Sequence, residues 1–161
     1  MPRRPRCWLQ DGTFHVGSRA TGGGTAFVDG IDRDAFVDLL YQAANKFDVR
    51  LLAWTVLGTH YHLIVEATHE QLSGMMHRLI GLYAQRFNRR HSRKGHLFEE
   101  RFSSWVIRDE AHMHATITYI LENPVRAGLC VDARDWLWSW SRHTQRTVPL
   151  SLAALGSRGG G

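Results

Sequence analysis

The chain has 161 residues, 43% hydrophobic and 22% charged, an ordinary balance for one soluble folded domain. No apolar run approaches the roughly 20 residues that cross a bilayer, and the basic start MPRRPR lacks the apolar stretch of a secretory leader, so a cytoplasmic protein is expected. A formal net charge of +5, carried almost entirely by arginine (Lys46 and Lys94 are the only lysines), favours a polyanionic partner.

The elements follow in chain order. CWLQDGTFHVGSR reads as a first strand, with Phe14 and Val16 alternating against His15, and ATGGGTAF as a glycine-rich loop without a phosphate-loop pattern. IDRDAFVDLLYQAANKF places Phe36, Leu39, Leu40, Ala43 and Phe47 at helical spacing, with Asp29 or Asp32 as its cap. VRLLAWTVL is a buried strand, GT a tight turn, and HYHLIVE the antiparallel return. THEQLSGMMHRLIGLYAQRFNRRH opens with capping-box spacing, Thr68 and Gln71, and carries one apolar stripe. SSWVIR is a short strand, and Asp109 caps a third helix, EAHMHATITYILE, which Asn123-Pro124 is expected to end. Trp136, Trp138 and Trp140 alternate with other residues and are expected to pack at the sheet edge. Residues 1–145 form one domain in this reading, and 146–161 a flexible glycine-rich tail. Cys7 and Cys130 lack the spacing of a zinc ribbon and are expected to form no disulfide.

The expected order is β-α-β-β-α-β-α. It defines an α+β protein with a ferredoxin-like βαββαβ antiparallel sheet and an additional C-terminal helix carrying a tyrosine. That fold hosts many functions and decides none.

His60 and His62 sit two apart on a strand, so both imidazoles share one face, about 6–7 Å apart at Cα. The pair can converge on one metal ion, given a further ligand, or stand as two half-exposed polar residues. On the third helix, His112, Thr116, Tyr119 and Asn123 fall on one side, with Met113, Ile117, Ile120 and Leu121 largely on the other. Packed beside the histidine strand, Tyr119 would offer a hydroxyl to a metal-bound phosphate and Asn123 an amide oxygen to the metal. Between them FNRRHSRKGHLFEERF concentrates Arg86, Arg89, Arg90, Arg93 and Lys94. Such a run tracks a phosphate backbone or simply solvates a helix end.

The stretches FHVGSR, THYHLIVE, LSGMMHRLIGLYAQRFNRRH, GHLFEERF and YILENPVRAGL occur in that order over roughly residues 8–142. Together they make the chain resemble the single-tyrosine HUH transposases, most of all the REP-associated branch. The resemblance implies a metal-dependent nuclease and strand transferase acting on single-stranded or hairpin DNA. His60 and His62 would hold a divalent ion, Mg2+ or Mn2+, with Asn123 as third ligand and Tyr119 as nucleophile. Arg86, Arg89, Arg90, Arg93, Lys94, Arg101 and Arg126 would contact DNA, although Arg126 equally suits a carboxylate partner within its own turn. The protein would be cytoplasmic and nucleoid-associated, a monomer or homodimer, with the tyrosine acting in cis or in trans. Thr59 stands where the family usually has Asn, Glu99 and Glu100 where it often has Gln and Gly, and Ala20 where Gly often follows Arg19. Rival readings are a domesticated hairpin-binding protein without cleavage, an RRM-like binder, whose aromatic pattern is absent from the sequence, and a small metallohydrolase with no role for Tyr119.

Overall fold

The computed structural model describes residues 12–99 and 102–143. The basic head, Cys7, Arg101 and the tail over 146–161 lie outside the described residues. The elements are β1 (Gly12–Arg19), α1 (Gly30–Lys46), β2 (Arg50–Val56), β3 (His60–Ala67), α2 (His69–Arg90), β4 (Ser103–Val106), α3 (Glu110–Arg126) and β5 (Ser139–Ser141). All strands pair antiparallel in the order β4-β1-β3-β2-β5, the ferredoxin-like sheet extended by one strand. No helix among the described residues is long and apolar enough to cross a membrane.

Period-two patterning sorts the sheet into two faces. Phe14, Val16, Leu63, Val65, Trp54 and Val56 point to the face covered by α1 and α2 and join the larger core. Ile64, Ala53 and Leu52 point the other way and pack on Ile117, Ile120 and Leu121 of α3. A bulge between Leu51 and Ala53 shifts the register of β2, so the consecutive residues Leu52 and Ala53 both end in the smaller core.

The helix starts follow capping chemistry. Asp29 accepts from the Asp32 backbone N–H at 3.2 Å and caps α1, while Asp32 returns a bond to the Val28 N–H at 2.9 Å. Thr68 and Gln71 form the reciprocal box that their spacing predicts.

The end of α3 corrects the sequence reading. The helix does not stop before Asn123-Pro124 but runs to Arg126 with Pro124 inside it. A proline in the last turn forfeits a single N–H bond, and the turn is closed by other means. Gly128 takes the left-handed conformation (φ 73°), its N–H donates to Val125 C=O at 3.0 Å, and Leu129 N–H donates to Pro124 C=O at 2.9 Å. That is a Schellman closure, and it gives PVRAGL its physical meaning. Asn123 therefore stays in helical register, one turn beyond Tyr119.

The tryptophan segment holds a strand that the sequence reading did not separate. Within β5, Trp140 pairs in register with Trp54, and the Ser139 hydroxyl bonds Thr55 at 2.7 Å. Trp138 donates to Asp34 at 2.9 Å, and the Arg33 guanidinium lies 5.1 and 5.0 Å from the Trp136 and Trp138 rings.

Candidate active site

The site grows out of strand parity. In β1, His15, Gly17 and Arg19 take the phase opposite to Phe14 and Val16, so they face α3. The antiparallel register sets them beside Ile64, His62 and His60 of β3, and sets Trp105 and Ser103 of β4 beside His15 and Gly17. One face of three adjacent strands thus carries three histidines, an arginine and a tryptophan.

The His60 and His62 rings lie 5.1 Å apart, nearly perpendicular. Each has its Nδ1 engaged: His60 with the Thr59 hydroxyl and His62 with His15 Nε2, both at 2.9 Å. With the proton on Nδ1, each ring offers Nε2 as a lone-pair donor, the tautomer that a metal ligand needs. Gly17 makes the His62 arrangement possible, because a Cβ there would stand 3.0 Å from Tyr61 C=O and 3.2 Å from His62 Nδ1.

Burial keeps these imidazoles neutral. It lowers His62 to a pKa of about 3, helped by His15, His60, Arg19 and Arg126, and lowers His15 to about 4, helped by His112. His60 is lowered by burial and by Arg19, against a hydrogen bond with Asn123 that raises it. In the metal-free chain the sign of the pH effect follows. The unfolded state takes up these protons near pH 6.5, whereas the fold resists them until about pH 4 and 3. Stability contributed by neutral His15 and His62 is therefore full above pH 6.5 and falls progressively below it. The melting temperature of the metal-free protein is expected to drop between pH 7 and 5, and a flat profile would contradict this.

From α3, Tyr119 sets its ring 6.0 Å from His62. Histidines and tyrosine meet within one chain. Asn123, 8% exposed, adjoins His60. Arg126 stacks its guanidinium 4.4 Å from the Tyr119 ring centre, donates to the Tyr119 carbonyl and lies 3.7 Å from Glu122. The carboxylate partner expected for Arg126 is Glu122, one turn earlier on the same helix, and the contact with the tyrosine is added to it.

The basic run is distributed differently from the expectation. It ends α2, whose core partners lie on the face of the sheet opposite to α3. Arg90 binds Asp29 and Asp32, each at 2.7 Å, tying the end of α2 to the start of α1. That guanidinium holds the Asp29 carboxyl well below the usual range. Arg93 donates to Asn88 Oδ1 and to the Gly95 and His96 carbonyls, bracing the following loop. The donors of Arg90 and Arg93 are thus engaged within the chain, while Arg86, Arg89 and Lys94 are exposed. Among the described residues Arg19 and Arg126 act electrostatically on the histidine pair, and sequence reasoning gave Arg19 and His15 no role. The available signal was the His-x-Gly-x-Arg alternation of β1, which has meaning only once its register to β3 is known.

Among the described residues no three His, Cys, Asp or Glu side chains converge on a common point suited to a metal, while the Asn123 carboxamide beside His60 is a further oxygen donor at the pair. Two neutral imidazoles and the Asn123 carboxamide are a donor set that fits a divalent ion of the Mn2+ or Mg2+ kind, with positions left open. Outer-shell support predicts its own effect. Gly17→Ala and His15→Ala are each expected to weaken Mn2+ binding by about tenfold or more, read by calorimetry, with the fold retained. Unchanged affinity in both variants would remove the orienting role.

The family model for IS200-like transposases matches residues 25–123, and the chain belongs to that family. Among solved structures, a REP-associated tyrosine transposase bound to a REP hairpin aligns at 17% identity with a TM-score of 0.65, over 86% of this chain and 82% of that one. A putative transposase from Deinococcus radiodurans R1 aligns at 20% identity with a TM-score of 0.51, over 75% and 96%. At these identities the likeness is one of fold. No curated protein matches the chain.

Proposed function

We propose that this transposase-family protein nicks and rejoins single-stranded DNA at hairpin elements through a covalent Tyr119 intermediate. The observation that carries the reading is the meeting of Tyr119 with the His60–His62 pair, 6.0 Å from the nearer ring, with Asn123 against the other. The hairpin carried by the REP-associated neighbour supports the choice of substrate.

A divalent ion bound by His60, His62 and Asn123 would polarise the scissile phosphate and stabilise charge growing on its oxygens. Thr59 and His15, each 2.9 Å from an Nδ1, support that role, since a proton on Nδ1 would leave Nε2 free for the ion. Arg126 fixes the Tyr119 ring from one side. Arg19 adds positive charge next to His60 and His62, where a phosphate would sit. The Tyr119 oxygen attacks phosphorus, the bond to the 3′ oxygen breaks, the phenol proton passes to solvent, and the departing 3′ oxygen takes one up. The products are a 5′-phosphotyrosyl link and a free 3′-OH. Because the ester conserves the phosphodiester bond, another 3′-OH can reverse the step without a nucleotide cofactor. Arg86, Arg89 and Lys94 remain candidates for the DNA backbone beyond the site, whereas Arg90 and Arg93 serve the fold.

The test is a denaturing gel of the protein with end-labelled hairpin DNA from its own genomic flanks. A protein–DNA band is expected with Mn2+ or Mg2+ and none in EDTA. Tight hairpin binding with no band in any metal would favour a binding-only protein.

A further inference from the structure

Trp105 is the feature that the site chemistry leaves unused. It sits on edge strand β4, in register with His15, its ring centre 5.1 Å from the imidazole, and the residue is 54% exposed. Among the described residues no strand pairs with the outer edge of β4, so the indole stands at the open side of the histidine face.

Three cavities meet at this residue. One of about 780 Å3 lies toward Arg108 and His112 at the start of α3. One of about 530 Å3 runs between Trp105 and the α3 residues Thr116 and Tyr119. One of about 260 Å3 holds His60, His62 and Arg19. Trp105 lines all three, so they adjoin as one trench across the histidine face, its middle part against α3, and the tryptophan stands beside that middle. Arg108 lies at one end with Asp109 beside it, and Arg19 at the other with Glu99 in the same lining, so each end offers one guanidinium next to one carboxylate and the aromatic ring between them is the feature that suits a base.

We propose that Trp105 is a stacking platform for a nucleobase flanking the scissile phosphate of single-stranded DNA. The proposal rests on the reading of Tyr119 as the residue that attacks that phosphate. The trench passes the tyrosine, so a strand whose phosphate reaches Tyr119 lays an adjacent base over the indole. Stacking needs a planar ring and tolerates any base. It therefore supplies grip without choosing sequence, which leaves recognition of the target to other contacts.

The probe is a fluorescent oligothymidylate of about 20 nucleotides, with binding read by anisotropy in EDTA so that cleavage plays no part. Trp105→Ala and Trp105→Leu are expected to lose about tenfold or more in affinity, the loss of one stacked base, while Trp105→Phe and Trp105→Tyr stay close to the parent. Melting temperatures of all four variants check the fold. Equal binding by the Ala variant, equal binding by the Leu and Phe variants, or no binding by the parent protein would each overturn the platform. The two readings fail separately. A Trp105-dependent affinity without any covalent adduct would retain the platform and remove the nuclease, whereas an adduct with Trp105-independent binding would do the reverse.

Discussion

Tyr119→Phe is expected to abolish the covalent adduct and strand cleavage while leaving hairpin affinity within about twofold. The substitution removes one oxygen from a half-exposed ring, 49% accessible, whose own hydroxyl has no packing role in the core. The phenylalanine ring keeps the edge-on contact with His62 and a face for Arg126. No other tyrosine substitutes for it, because Tyr61 and Tyr83 are buried on the far face and Tyr41 bonds Trp54. With the nucleophile gone, turnover falls to the background of unassisted attack by water, a loss of well over about 1,000-fold given the typical gain from an oriented nucleophile. Residual cleavage at a tenth of the parent rate would assign the nucleophile elsewhere.

His62→Ala and His60→Ala are expected to weaken Mn2+ binding by more than about 100-fold, beyond the roughly 10–100-fold cost of losing an outer-shell partner. In the proposed ligand set each removal leaves one other imidazole and one amide. The two variants differ in their wider effects. His62→Ala also strips His15 of its partner and opens space beneath Tyr119, so it is expected to lower the melting temperature slightly. His60→Ala frees only an exposed threonine hydroxyl and the Asn123 amide. Both proteins should still bind hairpin DNA in EDTA. Calorimetry with Mn2+ separates a lost metal site from a lost fold, and parent-like affinity in either variant would show that the imidazole is no ligand.

Legibility of this protein in its sequence varied with the range of the interactions involved. Local signals read through directly: the Thr68–Gln71 box, the Asp29 cap, the turn before His60 and the alternation of HYHLIVE all have their causes within a few residues. The topology followed because the order of strands and helices leaves few ways to cover both faces of a sheet. The end of α3 was misread because the bias before proline is a local tendency. The Schellman closure at Gly128 and the burial of Asn123 outweighed it.

The candidate site divided in the same way. His60 and His62 declare themselves through spacing on one strand, and Tyr119 and Asn123 through spacing on one helix. His15 and Gly17 do not, because their role depends on a register between β1 and β3, strands 47 residues apart in the His15–His62 contact. Arg90 shows the opposite case, a structural role that its own neighbourhood in sequence does not announce. A dense basic run suggests a polyanion, but its acidic partners, Asp29 and Asp32, stand about 60 positions earlier and are brought to it only by the packing of α1 on α2.

The most direct test of the account is to digest the metal-dependent protein–DNA adduct and sequence the cross-linked peptide by mass spectrometry. The account predicts a single modified residue, Tyr119, carrying the 5′-phosphate of the cleaved strand. A nucleotide on any other side chain, or cleavage without any covalent peptide, would contradict it.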